Sequence, residues 1–413
     1  MHLPELIHFI GIGGAGMAPL AEILLTRGVK VTGSDLVFND KCRELAALGA
    51  VISPGHRREN LPDGAGLTVF SSAVPGDNPE LLAAAGRGIP LMRRGEFLAY
   101  FLSLYRRVVA VSGSHGKSTV TAMTAHILKE CGIDAGYMIG AGVFGGRSAS
   151  CGRGDDIFVT EADESDGTHK LLAPYLGVVP NVDGDHSWSV GGEAALLENF
   201  RTFGMRSQHL LCFETERELF RGCADVTTLP PPEKDPVCAG FRGFMAVDAR
   251  LAVAASVMLG CPEDQALAAV SSFRGVKRRM TLRRREPYVV IEDYAHHPAE
   301  VERSIEYLRI NYPEHHLRIV FQPHRYARLE AFFPDFVRVL KTADSLFVAP
   351  VFAAWSERGR VDSRQLAESC GGVCLPGSWE EAASVVRAAP RGERPLLIAV
   401  LGAGDVEEII PFL

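Results

Sequence analysis

The stretch "VVAVSGSHGKSTV" sets Gly113, Gly116, Lys117 and Ser118 between a β-branched run and a helix-forming one. Glycines let backbone N–H groups close round phosphate oxygens, a lysine supplies a cation for the terminal phosphates, and a serine hydroxyl can ligate Mg²⁺. With Ser114, His115 and Thr119, this reads as a nucleoside-triphosphate loop. It lacks the first glycine of the full signature, because Val111 stands there. A second stretch, "HFIGIGGAGM", has Gly11-x-Gly13-x-x-Gly16 after an apolar run. That spacing makes a tight turn whose following helix offers N–H groups to a pyrophosphate. Asp35 closes the next strand, where a ribose-binding acid sits in nicotinamide enzymes. Read alone, this loop admits such a dinucleotide. Two pyrophosphate loops about 100 residues apart imply two different nucleotide ligands.

Acids and histidines follow at strand ends. "FVTEADESDG" carries Glu161, Asp163, Glu164 and Asp166, and "VVPNVDGDHSW" carries Asp183, Asp185 and His186. In an open parallel sheet ligands gather at the carboxyl ends of strands, so an acid and an imidazole there can complete a Mg²⁺ shell begun by Ser118. Further on, "EDYAHHPAE" gives Asp293, His296 and His297, and "FQPHRYAR" gives His324, Arg325 and Arg328. Arginines three apart at a helix start can clamp a carboxylate or a phosphate.

These residues need a scaffold that presents loops, and the sequence supplies one. "LIHFIGIGG", "MAPLAEILLTRG" and "VKVTGSD" make a βαβ unit, and strand and helix patterns alternate to about residue 103. A second α/β set starts at "RRVVAVSGSHGKSTV", and a third at "YVVIEDYAHHPAEVERSIEYL". The segment 226–243 is proline-rich and irregular. The basic segment 273–286, with Arg274, Lys277, Arg278, Arg279, Arg283, Arg284 and Arg285, reads as a solvated interdomain linker.

Composition excludes several classes. A chain of 413 residues exceeds one ordinary core, and 47% apolar with 23% charged residues is globular usage. A net charge of −7 disfavours a nucleic-acid partner. The nine scattered cysteines read as reduced thiols, and no apolar run reaches the about 20 residues of a membrane span. The expectation is a cytoplasmic protein without membrane insertion.

The ordered set "HFIGIGGAGM", "GSDL", "SSAVPGDNPEL", "IPLMRRGEFL", "GSHGKST", "EADESDG", "NVDGDHS", "FRGVKRRM", "EDYAHHPAEV", "FQPHRYARL" and "LGAGDV" resembles the Mur ligases of peptidoglycan synthesis, and best their alanine-adding type. The resemblance implies three α/β domains: a Rossmann-like N-terminal domain at 1–104 for a UDP-sugar, a P-loop central domain at 105–276 for ATP, and a Rossmann-like C-terminal domain at 277–413 for the amino acid. It implies Mg²⁺ on Ser118, Glu161 and His186, with ATP on residues 113–119. UDP-N-acetylmuramate would meet Gly11, Gly13, Gly14, Ala15, Gly16 and Met17, with Ser34, Asp35 and Ser72 nearby. Lys117, His297, Arg325 and Arg328 would serve the reaction with L-alanine, the last three in an interdomain cleft and His297 as a base. The implied protein is a monomer or homodimer.

Two departures stand out. The family carries a His-Asn pair at an adenine-contacting helix start, where this chain has Phe244-Met245, and its central domain is shorter by several tens of residues. They motivate a second reading, a catalytically degenerate UDP-sugar-binding protein with a regulatory or scaffold role.

Overall fold

The computed structural model describes residues 3–144, 146–164, 166–183, 190–234, 236–354, 359–390 and 392–413. The fold is α/β throughout and divides into two compact units. One is Met1–Pro232 with Asp248–Arg274, the other Glu233–Val247 with Gly275–Leu413.

The first unit holds two sheets. Its five-stranded sheet runs in the order Val51–Pro54, Lys30–Asp35, Leu6–Ile10, Leu67–Phe70, Leu91–Arg93, all parallel. The order reverses at Leu6–Ile10, so the loops after Leu6–Ile10 and Leu67–Phe70 open side by side, which is where such sheets take ligands. The seven-stranded sheet runs Val226–Leu229, His209–Phe213, Leu176–Val179, Arg107–Val111, Ile157–Glu161, Gly136–Met138, Ala149–Ser150, and only the last strand is antiparallel to its neighbour. Central strands such as Arg107–Val111 are almost wholly apolar because helices cover both faces. The two sheets share one core. Phe101, on the helix Arg94–Leu102, packs edge-on against Phe158 with ring centres 5.5 Å apart, and Phe97 meets Phe9 at 5.9 Å.

The proline-rich segment is partly ordered. Val226–Leu229 is the edge strand beside His209–Phe213, and proline excludes itself from the ladder only afterwards.

The second unit is a six-stranded sheet in the order Thr281–Arg284, Val289–Asp293, Leu396–Leu401, His316–Phe321, Ser345–Val348, Val373–Cys374, parallel except for the first strand. Its two faces bury separate clusters, one around Ile319, Phe321 and Phe336, the other around Val320, Ile398 and Val400. The basic segment is therefore not a free linker. Thr281–Arg284 pairs antiparallel with Val289–Asp293, and Arg278 and Arg283 reach Glu292 at 3.3 and 2.6 Å. Arg284 donates to the Leu413 carbonyl at 2.8 Å. A cross-strand carboxylate and a carbonyl thus hold three cations of a run whose Arg274, Lys277, Arg283 and Arg285 still face solvent.

All nine cysteines are free thiols. Among the described residues no helix is long and apolar enough to cross a membrane.

Candidate nucleotide-binding and active site

The triphosphate-type loop leaves the strand Arg107–Val111 and enters the helix Lys117–Glu130 through Gly116, which is left-handed at φ +83°. A Cβ on Gly116 would stand 2.5 Å from Asp248 Oδ1, and one on Gly113 would stand 2.9 Å from the Asn181 carbonyl. Both glycines are therefore required by backbone shape and by close approach. Gly116→Ala is expected to lower stability by about 2 kcal/mol from the left-handed backbone alone, with weaker ATP binding. Urea unfolding and calorimetry check the two effects.

Neighbouring strand ends hold the loop's form. Asn181 Oδ1 accepts from His115 N at 2.9 Å and its Nδ2 donates to His115 O at 3.2 Å. Ser114 Oγ accepts from Asp183 N at 2.9 Å, and His115 Nε2 lies 3.0 Å from Asp183 Oδ2. Lys117 Nζ donates to Gly113 O at 2.7 Å and meets Glu164 at 2.8 and 3.0 Å. Burial opposes the lysine's charge, but Glu164, Asp163 and Glu161 outweigh it and hold the ammonium above the usual lysine range. Ser118 Oγ donates to Glu161 Oε2 at 3.0 Å.

A hydroxyl and a carboxylate converging in this way form an all-oxygen donor pair of the kind that suits Mg²⁺ completed by nucleotide phosphates. His186 lies outside the described residues. Among the described residues no three His, Cys, Asp or Glu side chains cluster as a self-contained metal cage. Thr119 is buried behind the loop.

In the other glycine loop, Gly11 is left-handed at φ +78°, and the N–H groups of Gly11 and Ile12 both donate to the Ser34 carbonyl at 2.8 and 3.0 Å. Asp35 binds the loop rather than standing apart from it, since its Oδ2 accepts from Gly13 N at 2.8 Å. Gly14, Ala15, Gly16 and Ser72 are at least partly open to solvent.

Three expected ligand contacts are turned inward, Gly13 among them, with its N–H on Asp35. Met17 is 1% exposed and belongs to the core, because it sits at the start of the helix Ala18–Thr26. Ser34 is fully buried, and its Oγ donates to Glu80 Oε2 at 2.7 Å. Ser34 serves the loop through its carbonyl.

Sequence reading missed Glu80. This buried carboxylate also meets His8 Nε2 at 2.8 Å, Arg57 N at 3.0 Å and Asn60 Nδ2 at 3.0 Å, while His8 Nδ1 lies 2.8 Å from Thr32 Oγ1. The histidine that opens "HFIGIGG" was the available signal, since a buried imidazole requires partners. Arg94 was missed as well. Its side chain lies over Gly16 and it ion-pairs with Asp166.

In the second unit His297 caps the helix Pro298–Asn311, with Nδ1 accepting from Ala299 N at 3.4 Å and its own N–H donating to Glu300 Oε2 at 3.1 Å. Its ring meets Phe332 edge-on at 4.6 Å. The cap engages Nδ1, so a proton exchanged by this ring in a reaction would pass through Nε2. Asp293 is also structural, accepting from Met280 N, Ala295 N and Ser304 Oγ at 2.8, 2.9 and 3.1 Å.

Arg325 and Arg328 flank the start of the short helix Tyr326–Ala331. Arg325 has φ +67°, a costly backbone for a β-carbon residue, held by its N–H to the Phe352 carbonyl at 2.9 Å. Arg328 Nη1 is 3.4 Å from His324 Nδ1, and His324 stacks on Phe352. Burial, His296 and both arginines depress His324 to about 4, so it is neutral at pH 7. The cations here are guanidinium groups, suited to a carboxylate.

Comparisons with known proteins give the family of the chain. The model for the Mur ligase family, catalytic domain, matches residues 6–106, and that for the Mur ligase, glutamate ligase domain, matches residues 278–404. A Bordetella petrii protein named UDP-N-acetylmuramate–L-alanine ligase is 34% identical over 463 residues, spanning 99% of this chain and 98% of its own. A solved UDP-N-acetylmuramate–alanine ligase from Thermotoga maritima superposes with a TM-score of 0.81 at 24% identity, over 100% of this chain and 98% of that one. MurF ligase from the same organism, solved in complex with ADP, shares the fold at a TM-score of 0.61 and 15% identity, over 86% of this chain and 89% of its own. With relatives this similar along nearly its whole length, the chain belongs to the Mur ligase family.

Proposed function

We propose that the protein joins L-alanine to the lactyl carboxylate of UDP-N-acetylmuramate, with ATP converted to ADP and phosphate. Residues 1–104 take the UDP-sugar, 105–276 the ATP and 277–413 the amino acid. The observation that carries this reading is the kept phosphate machinery: Lys117 against Glu164 and Ser118 against Glu161, each within hydrogen-bond distance. A scaffold protein has no use for either pair.

A carboxylate does not couple to an amine unaided, because its oxygen is a poor leaving group. Attack of the lactyl carboxylate oxygen on the γ-phosphorus releases ADP and leaves an acyl phosphate. The alanine amine then attacks the carbonyl carbon, gives up a proton, and inorganic phosphate departs with the electron pair of the broken C–O bond. Residues 113–119 hold the triphosphate, and Lys117 offsets charge on the transferring group. Mg²⁺, held by Ser118, Glu161 and His186, would neutralise phosphate charge. The turn made by Gly11, Gly13, Gly14, Ala15 and Gly16 takes the diphosphate, its shape held by the Gly11 and Gly13 N–H bonds to Ser34 and Asp35, with Ser72 at its open side. Arg325 and Arg328 hold the amino-acid carboxylate, and a proton exchanged there by His297 passes through its Nε2. We read the protein as acting in the cytoplasm, as a monomer or homodimer.

Phosphate release measured with UDP-N-acetylmuramate, Mg-ATP and a panel of amino acids tests this. ADP and phosphate are expected in equal amounts only when all three substrates are present, with L-alanine best. Tight UDP-sugar binding without turnover on any amino acid would return the protein to a binding role.

A further inference from the structure

Arg94 opens the helix Arg94–Leu102 and touches two loops assigned above to different ligands. Its Cδ, Nη1 and Nε stand 2.9, 3.1 and 3.3 Å from where a Gly16 Cβ would be, so the end of the stem and the near side of the guanidinium lie against the diphosphate loop. The other side faces the central sheet: Nη2 ion-pairs with Asp166 and donates to Thr168 Oγ1 at 3.2 Å. The next residue is seated just as closely, since a Cβ on Gly95 would come within 2.6 Å of Thr168 Oγ1. The segment 161–168 that receives Arg94 also carries Glu161, bonded to Ser118, and Glu164, bonded to Lys117. One arginine thus joins the diphosphate loop to the segment that holds both reactive side chains of the phosphate loop.

We infer that Arg94 is a positioning residue that couples the two nucleotide sites, so that the UDP-sugar on residues 11–17 tightens Mg-ATP on residues 113–119. The inference rests on the ligand assignment under Proposed function. A guanidinium is a rigid planar fork that can serve an anion on each edge, which an ammonium on a flexible stem does not do. A diphosphate on the glycine loop adds the second anion. It fixes the guanidinium against Asp166, and through Asp166 and Thr168 it fixes the carboxylates that set Ser118 and Lys117. Coupling of this kind is reciprocal: each ligand must change the affinity of the other by the same factor.

Calorimetry on the full chain tests this with UDP-N-acetylmuramate and the magnesium complex of β,γ-methylene-ATP, each titrated with and without the other at saturation. In the parent protein each ligand is expected to tighten the other about 5-fold or more, equally in both directions. Arg94→Lys, which keeps the cation, and Asp166→Asn, which breaks the pair from the far end, are each expected to bring that factor to about 1. A purely structural role would shift melting temperature or both affinities and leave their ratio alone. Coupling that persists in both variants, or a parent that binds both ligands independently, overturns the inference. A parent that binds neither ligand overturns the assignment beneath it. Should Arg94→Lys fail to fold, Asp166→Asn decides alone, because its side of the contact leaves the Gly16 loop untouched.

Discussion

Lys117→Ala is expected to lower turnover about 10³-fold, the usual scale for removing a cation or donor aimed at transition-state charge. The effect should fall on kcat, since the backbone N–H groups of residues 116–119 at the helix start still cradle the phosphates. Stability should fall too. Glu164 is buried and takes its cation from Lys117 at 2.8 Å. Removing one partner of a buried pair costs about 3–5 kcal/mol if the other stays charged, and less if Glu164 takes up a proton. The double variant Lys117→Ala with Glu164→Gln separates the roles: stability in urea should largely return, turnover should not. Single-turnover phosphate release decides the case, and a loss under about 10-fold would take Lys117 out of the chemistry.

Glu80→Ala is the second large effect, on stability and on the UDP-sugar loop together. It strands His8, Ser34, Asn60 and the Arg57 N–H, all pointed at one buried carboxylate. A loss of about 3–5 kcal/mol is expected, with a raised KM for the UDP-sugar because the Ser34 carbonyl anchors two loop N–H groups. The pH dependence has a definite sign. Burial alone would raise the Glu80 pKa, but bonds from His8, Ser34 and Asn60 more than reverse that and hold it below the usual carboxylate range. A folded-state pKa below the unfolded value stabilises the fold above the ordinary glutamate pKa of about 4.3. That contribution is lost as pH falls further toward the folded value. Urea unfolding at pH 7 and at about pH 3 should therefore show a steeper acid loss in the parent than in Glu80→Gln. Parallel curves would remove Glu80 from the account.

Both glycine loops and the three large sheets could be read from the sequence, because glycine spacing and unbroken apolar runs are local signals. What escaped was set by neighbours distant in sequence. Glu80 sits in "NPELL", which announces only a helix start; its role exists because the strand order brings it 2.7 Å from Ser34, 46 positions away. Arg94 stands unremarked within "IPLMRRGEFL", and its place shows only from Gly16 and Asp166, which lie on either side of it. The basic run at 273–286 misread for the same reason, since Glu292 lies across an antiparallel pair. Met17 and His297 have structural places that their residue types do not announce. Their chemistry suited a ligand, but helix starts claimed both, one for the core and one as a cap. Arg325 showed no sign of strain in sequence, since only backbone geometry reveals a positive φ.

The bonds that tie Ser114 and His115 to Asn181 and Asp183 form when the chain folds. The entropy of ordering that loop is thus lost once, at folding, and is not charged against each nucleotide that binds. Capture of ATP should then proceed at a rate governed by diffusion and charge, with no slow loop-closing phase of the kind a disordered phosphate loop would impose.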